Sequence, residues 1–182
     1  MDWYSIFKFL HVVAAICWVG GGAVLMYQGI LAARANNEEA QVTVMKQTAA
    51  LSLNWFIPAS IATLVFGGVA ATLGSAWSDA WVILGLLGFA ATFATGNFLI
   101  RPAADAIAKA ESEGRRAEAL ASGGKMLQVA KFDYVMLFTV IADMVLKPQW
   151  GDIALLAVMA VVLAAGAVLF LLPVLQNRTA PA

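Results

Sequence analysis

The side chains able to do chemistry are few, and most sit inside apolar runs. His11, the single histidine among 182 residues, lies in the stretch Lys8 to Gly22, about two turns beyond Tyr4 and among residues that are otherwise apolar or small. An imidazole in such surroundings needs a partner or a use: ligating a metal, holding a haem through one axial bond, or moving a proton. At about 100° per residue, Ala15, Trp18, Gly22 and Gly29 share its helix face, with Ala14 on the flank. A ring beside small residues makes a surface that another helix or a flat cofactor can approach closely. As a metal ligand His11 stands nearly alone: a closed zinc site needs three or four protein ligands, and the one cysteine, Cys17, falls on a different face of the same helix. Cys17 cannot form an internal disulfide and reads as packing. A haem needs only one histidine, its sixth position being open or filled by a methionine, a lysine or a second subunit; Met144 and Met159 fall near the depth of His11.

Carboxylates make the second constellation. Asp133 and Asp143 lie in an apolar stretch that also holds Lys131 and ends on Lys147. Burying a lone aspartate near a helix centre costs about 2.5 to 3.5 kcal/mol, so Asp143 calls for a proton or a partner. Lys147, one turn on, would give a helix-end salt bridge without function. His11 is the alternative, its ring oriented and made more basic by the carboxylate. Asn97, Arg101, Lys131 and Asp133 form a further polar cluster, in which an Arg101–Asp133 clamp would join two helices structurally.

The elements that must position these residues are membrane helices. Hydrophobic residues make up 62% of the chain and charged residues 12%, against about 25% charged in a soluble domain. The formal charge of +0 argues against a nucleic-acid binder. Phosphate-loop, H-E-x-x-H and G-x-S-x-G motifs are absent from the sequence. The expected fold is all-α, a polytopic bundle in a single domain over 1–182, with spans near 4–31, 55–74, 80–100, 129–146 and 153–172. The links near 32–54 and 101–128 are helical. Asn37 caps the first, with Glu38 and Glu39 in its opening turn, and the helix runs along the surface into the second span. The second link is a charged, solvated connector with Asp105/Lys109 and Glu111/Arg115 one turn apart, ended by Gly123-Gly124. Pro58 is expected to kink the second span, Gly67-Gly68 to allow close packing, and Pro102 to bend or stop the third span at Arg101.

Arginine and lysine concentrate in the two links, which the positive-inside rule places in the cytoplasm. The N-terminus is then outside, the C-terminus inside, and His11 and Asp143 lie in the outer half of a bacterial cytoplasmic (inner) membrane. The first span lacks a basic leader and a cleavage site and reads as retained. Small-residue stripes on spans one and three would suit a homodimer or packing within one chain.

Lys8-Phe9-Leu10-His11, Trp18-Val19-Gly20-Gly21 and Asp143-Met144-Val145-Leu146-Lys147-Pro148 together resemble the DUF2269-type family of uncharacterised bacterial integral membrane proteins, over spans one to four. More remotely, the first span is similar to those of the copper-resistance protein D (CopD) group and the HemJ-type protoporphyrinogen oxidases, where a histidine also precedes a Trp/Gly stretch. That resemblance implies a haem b site or copper handling, with His11 as the matching position and a quinone or another redox partner. The closer family carries no activity to transfer. Three readings therefore stand: a haem-b-binding redox protein, with His11, Trp18, Asp143, Met144 and Met159 around the cofactor; a carrier of a metal ion, proton or small solute, working through Asp143 and Asp133; and a structural or assembly protein whose polar residues only lock helices together.

Overall fold

The computed structural model describes residues 2–176 and, over them, is helical with no strand. The helices are α1 (Trp3–Arg34), α2 (Glu38–Leu51), α3 (Ile57–Leu73), α4 (Ala80–Thr95), α5 (Arg101–Ser112), α6 (Arg116–Leu146), α7 (Ile153–Gly166) and α8 (Leu172–Gln176). Wide π-helical turns at Ser52–Phe56, Gly96–Ile100 and Ala167–Leu171 join α2 to α3, α4 to α5 and α7 to α8 without a break. Four rods, Trp3–Arg34, Glu38–Leu73, Ala80–Ser112 and Ile153–Gln176, are long and apolar enough to cross a membrane. The fifth, α6, carries Lys131, Asp133 and Asp143 in its apolar half and packs against α1, α2, α4, α5 and α7.

Each π turn has the same cause. Pro58, Pro102 and Pro173 stand two residues beyond the three turns. A proline lacks its N–H and its ring crowds the carbonyl four residues back, which is Asn54, Phe98 or Leu169, inside the turn in each case. Widening the helix by one residue relieves the crowding and lets it continue. Of the bend or stop expected at Arg101, the stop is therefore corrected: the third rod runs on to Ser112.

The connector differs from expectation in a second way. Gly123 and Gly124 do not end a helix; they lie inside α6, and the break falls at Gly114, whose φ of +76° favours glycine. Gly123 is packed beneath the Met45 side chain. Met45, Ala104, Ile107, Ala110, Ala119 and Met126 form a buried apolar core between α2, α5 and the start of α6, so the connector is solvated on one face only. Because Gly114 interrupts the helix, Glu111 pairs with Arg116 (2.9 Å) rather than with Arg115, and Arg116 also reaches Glu38 at 3.2 Å. Arg115 bonds Glu113 and Glu118, which hold its pKa above the ordinary arginine value. Asp105 lies 3.9 Å from Arg101. Asn37 does cap α2, its Oδ1 accepting from the Ala40 N–H at 3.0 Å.

Candidate functional site

Three ring side chains tie the spans together in one way. His11 on α1 lies against Gly67 of α3, and its Nδ1 meets the Thr63 carbonyl, one turn earlier on α3, at 2.7 Å. Trp55 lies against Gly21, and its Nε1–H donates to the Cys17 carbonyl at 3.0 Å, again one turn earlier. The Tyr134 hydroxyl lies over Gly22 and donates to the Val19 carbonyl at 2.7 Å. In each case the absence of a Cβ lets a ring reach the backbone of the neighbouring helix, where a carbonyl has a spare lone pair.

For His11 the bond fixes the chemistry. A carbonyl only accepts, so Nδ1 must be the N–H, and in the neutral ring Nε2 carries the free lone pair. The ring lines a cavity of about 800 Å³ whose walls also include Trp18, Gly67, Gly85, Met144 and Lys147. Lys8 borders it too and lies 5.7 Å from the centre of the Tyr4 ring. A second cavity, of about 140 Å³, is lined by Thr48, Ser60, Asn97, Arg101, Asp133 and Tyr134, among others. Trp18, Thr92 and Leu137 border both, and Trp18 meets Phe89 edge-on at 5.4 Å between ring centres. The two spaces thus adjoin across a partly aromatic wall.

Several expected pairings are corrected. His11 does not meet Asp143; its ring is committed to α3, against which α1 packs most extensively. Asp143 faces α4 instead, with Oδ2 3.3 Å from where a Cβ on Gly85 would stand. The residue is 1% exposed and neither carboxylate oxygen has a hydrogen-bond partner among the described residues. The Asp143–Lys147 salt bridge is not formed, because Lys147 takes a left-handed conformation (φ 50°) beyond the helix and its Nζ sits 4.9 Å from the Trp81 ring centre. The Arg101–Asp133 clamp is absent as well: Arg101 turns to Asp105 and Asp133 Oδ1 has no partner among the described residues.

The polar cluster divides. Asn97, Arg101 and Asp133 border the smaller cavity, whereas Lys131 lies 5.9 Å from the Phe170 ring centre, on the side of α7. Met144 shares the His11 cavity; Met159, on α7, borders neither space. Thr63 and Tyr134 carried no signal in the sequence, because a carbonyl partner leaves no trace in residue type. Gly67 did carry one, as a packing glycine, but what it packs is the His11 ring.

Among the described residues no three His, Cys, Asp or Glu side chains are grouped to hold a metal ion. No curated protein and no solved structure matches the chain. Residues 5–148 match the family described as "Predicted integral membrane protein (DUF2269)", a stretch that takes in His11, both aspartates and nearly all of both cavity walls. The chain belongs to that family of integral membrane proteins.

Proposed function

We propose that the protein is a haem-b-binding membrane redox protein, with His11 as axial ligand in the larger cavity. One observation carries the reading: the His11 Nδ1 bond to the Thr63 carbonyl at 2.7 Å, which fixes the tautomer with a free Nε2 lone pair on a ring lining a space of about 800 Å³. The residues present fit the group. Cavities of about 300 to 1,000 Å³ suit a cofactor-sized guest. Gly67 seats the His11 ring and Gly85 seats the Met144 side chain, so imidazole and thioether border the same space, and Lys8 and Lys147 offer cations to a porphyrin's carboxylates. Bound there, haem would supply one-electron chemistry. The chain's part is to hold His11 in one orientation through Thr63 and Gly67, and to screen the guest from the smaller cavity with Trp18 and Phe89.

The placement that goes with this reading has five crossings, α6 being the fifth. Its aspartates are turned into the bundle, Asp133 at 8% and Asp143 at 1% exposure, which lowers the cost of carrying them through lipid. The arginine- and lysine-bearing end of α5 and α6 lies in the cytoplasm of a bacterial cell and the His11 cavity toward the outside.

The test is an absorption spectrum, oxidised and then dithionite-reduced, of detergent-purified protein expressed with ample haem precursor, beside His11→Ala. A Soret band with reduced α and β bands in the native protein, lost in the variant, is expected. A featureless visible spectrum despite adequate haem supply overturns the reading.

A further inference from the structure

Of the five hydroxyls that line the smaller cavity, all but that of Ser52 have already spent their protons. Thr48 donates to the Val44 carbonyl (2.9 Å), Ser60 to Ile57 (2.9 Å), Thr92 to Phe89 (3.1 Å) and Tyr134 to Val19 (2.7 Å). The Asn97 amide donates to the Phe93 carbonyl at 2.9 Å, leaving its Oδ1 as an acceptor. These groups retain lone pairs, while Asp133 adds a carboxylate whose Oδ1 is buried without a partner among the described residues. Hydroxyls so committed cannot also donate to Asp133. Neither nearby cation pairs with Asp133: Arg101, which borders the cavity, lies nearest Asp105 at 3.9 Å, and Lys131 lies 5.9 Å from the Phe170 ring centre.

A wall rich in acceptors, with one buried carboxylate, calls for a positively charged guest. Hydroxyl, amide and carboxylate oxygens are hard ligands, and a single carboxylate balances a single charge. A volume of about 140 Å³ holds a small ion with a few waters, each occupying about 30 Å³ in the liquid. We propose that this cavity binds a small monovalent cation of the sodium or ammonium kind, with Asp133 as its counter-charge and the neutral oxygens of Ser60 and Thr92 among its ligands. Asp143 is the natural contrast. It is less exposed yet borders neither cavity. The inference does not rest on the haem reading, and each can fail without the other.

The experiment is equilibrium binding of radiolabelled sodium to the detergent-purified full chain, at constant ionic strength held with choline chloride, with potassium and ammonium as competitors. Saturable binding of one cation per chain is expected, lost in Asp133→Asn and retained in Asp143→Asn. The Ser60→Ala/Thr92→Val double variant, which keeps the carboxylate, should bind at least tenfold more weakly. The proposal is overturned if the native chain shows no saturable sodium binding that ammonium or potassium can displace, or if Asp133→Asn binds like the native chain. Should Asp133→Asn fail to fold, the double variant decides, and an unchanged affinity there overturns the proposal.

Discussion

Gly67 and Gly68 are adjacent on α3 and identical in type, yet the structure assigns them opposite tolerances. A Cβ on Gly67 would stand 2.7 Å from His11 Nδ1 and 2.8 Å from Cε1, while one on Gly68 would meet only Trp77 Cη2, at 3.9 Å. Ordinary van der Waals contact at Gly68 costs nothing, and exchanging glycine for alanine inside a helix gains about 0.5 to 1 kcal/mol. Gly67→Ala shares that gain but must displace a rigid ring. Overpacking costs about 1 to 3 kcal/mol, and losing the bond to Thr63 about 0.5 to 1.5 kcal/mol more. Gly67→Ala should therefore be about 1.5 to 4.5 kcal/mol less stable than Gly68→Ala, a comparison in which the backbone gain cancels. Unfolding in mixed micelles of increasing SDS content, followed by tryptophan fluorescence, measures the difference. The same exchange in a His11→Ala background should cost little, since the ring that Gly67 accommodates is gone. Equal stabilities for the two glycine variants, or a Gly67→Ala cost that survives the removal of His11, would refute the reasoning.

Two further expectations follow from the same geometry. Tyr134→Phe removes the hydroxyl that bonds Val19 at 2.7 Å while keeping the ring over Gly22, so a loss of about 0.6 to 1.5 kcal/mol is expected in the same unfolding assay, and an unchanged midpoint would mean that the bond contributes nothing. Gly114→Ala places a Cβ at φ +76° with open space around it; the expected cost is about 1 to 2 kcal/mol from backbone strain alone, measured by the same titration, and a stabilised variant would show that α5 and α6 can join in another conformation.

Membrane helices are legible because lipid demands long apolar runs, and His11, Asp133 and Asp143 announced themselves as polar exceptions. Their partners were not legible. Pairing His11 with Asp143, or Arg101 with Asp133, matches residue types, but the ring went to a backbone carbonyl and the guanidinium to its own helix. Proline was misread for a different reason. Pro102 forbids an ordinary α-turn, which a sequence reading turns into a stop, whereas the chain escapes by one wide turn and keeps going. The inserted residue also rotates the helix face, so the periodicity of the third span cannot be carried past Gly96. Gly123 shows the converse: half of a pair that looks like punctuation, it serves close packing under Met45, while Gly124 faces open space.

The last rod has a separate standing. Both α7 and α8 lean chiefly on α6, the wall of the smaller cavity stops at Leu137 and that of the larger at Gln149, and the family match stops at 148. The described walls of both cavities are thus complete before α7 begins, and the last rod packs on α6 from outside them. One apolar rod beyond the cavities also decides on which side of a membrane the chain finishes, since each crossing reverses it.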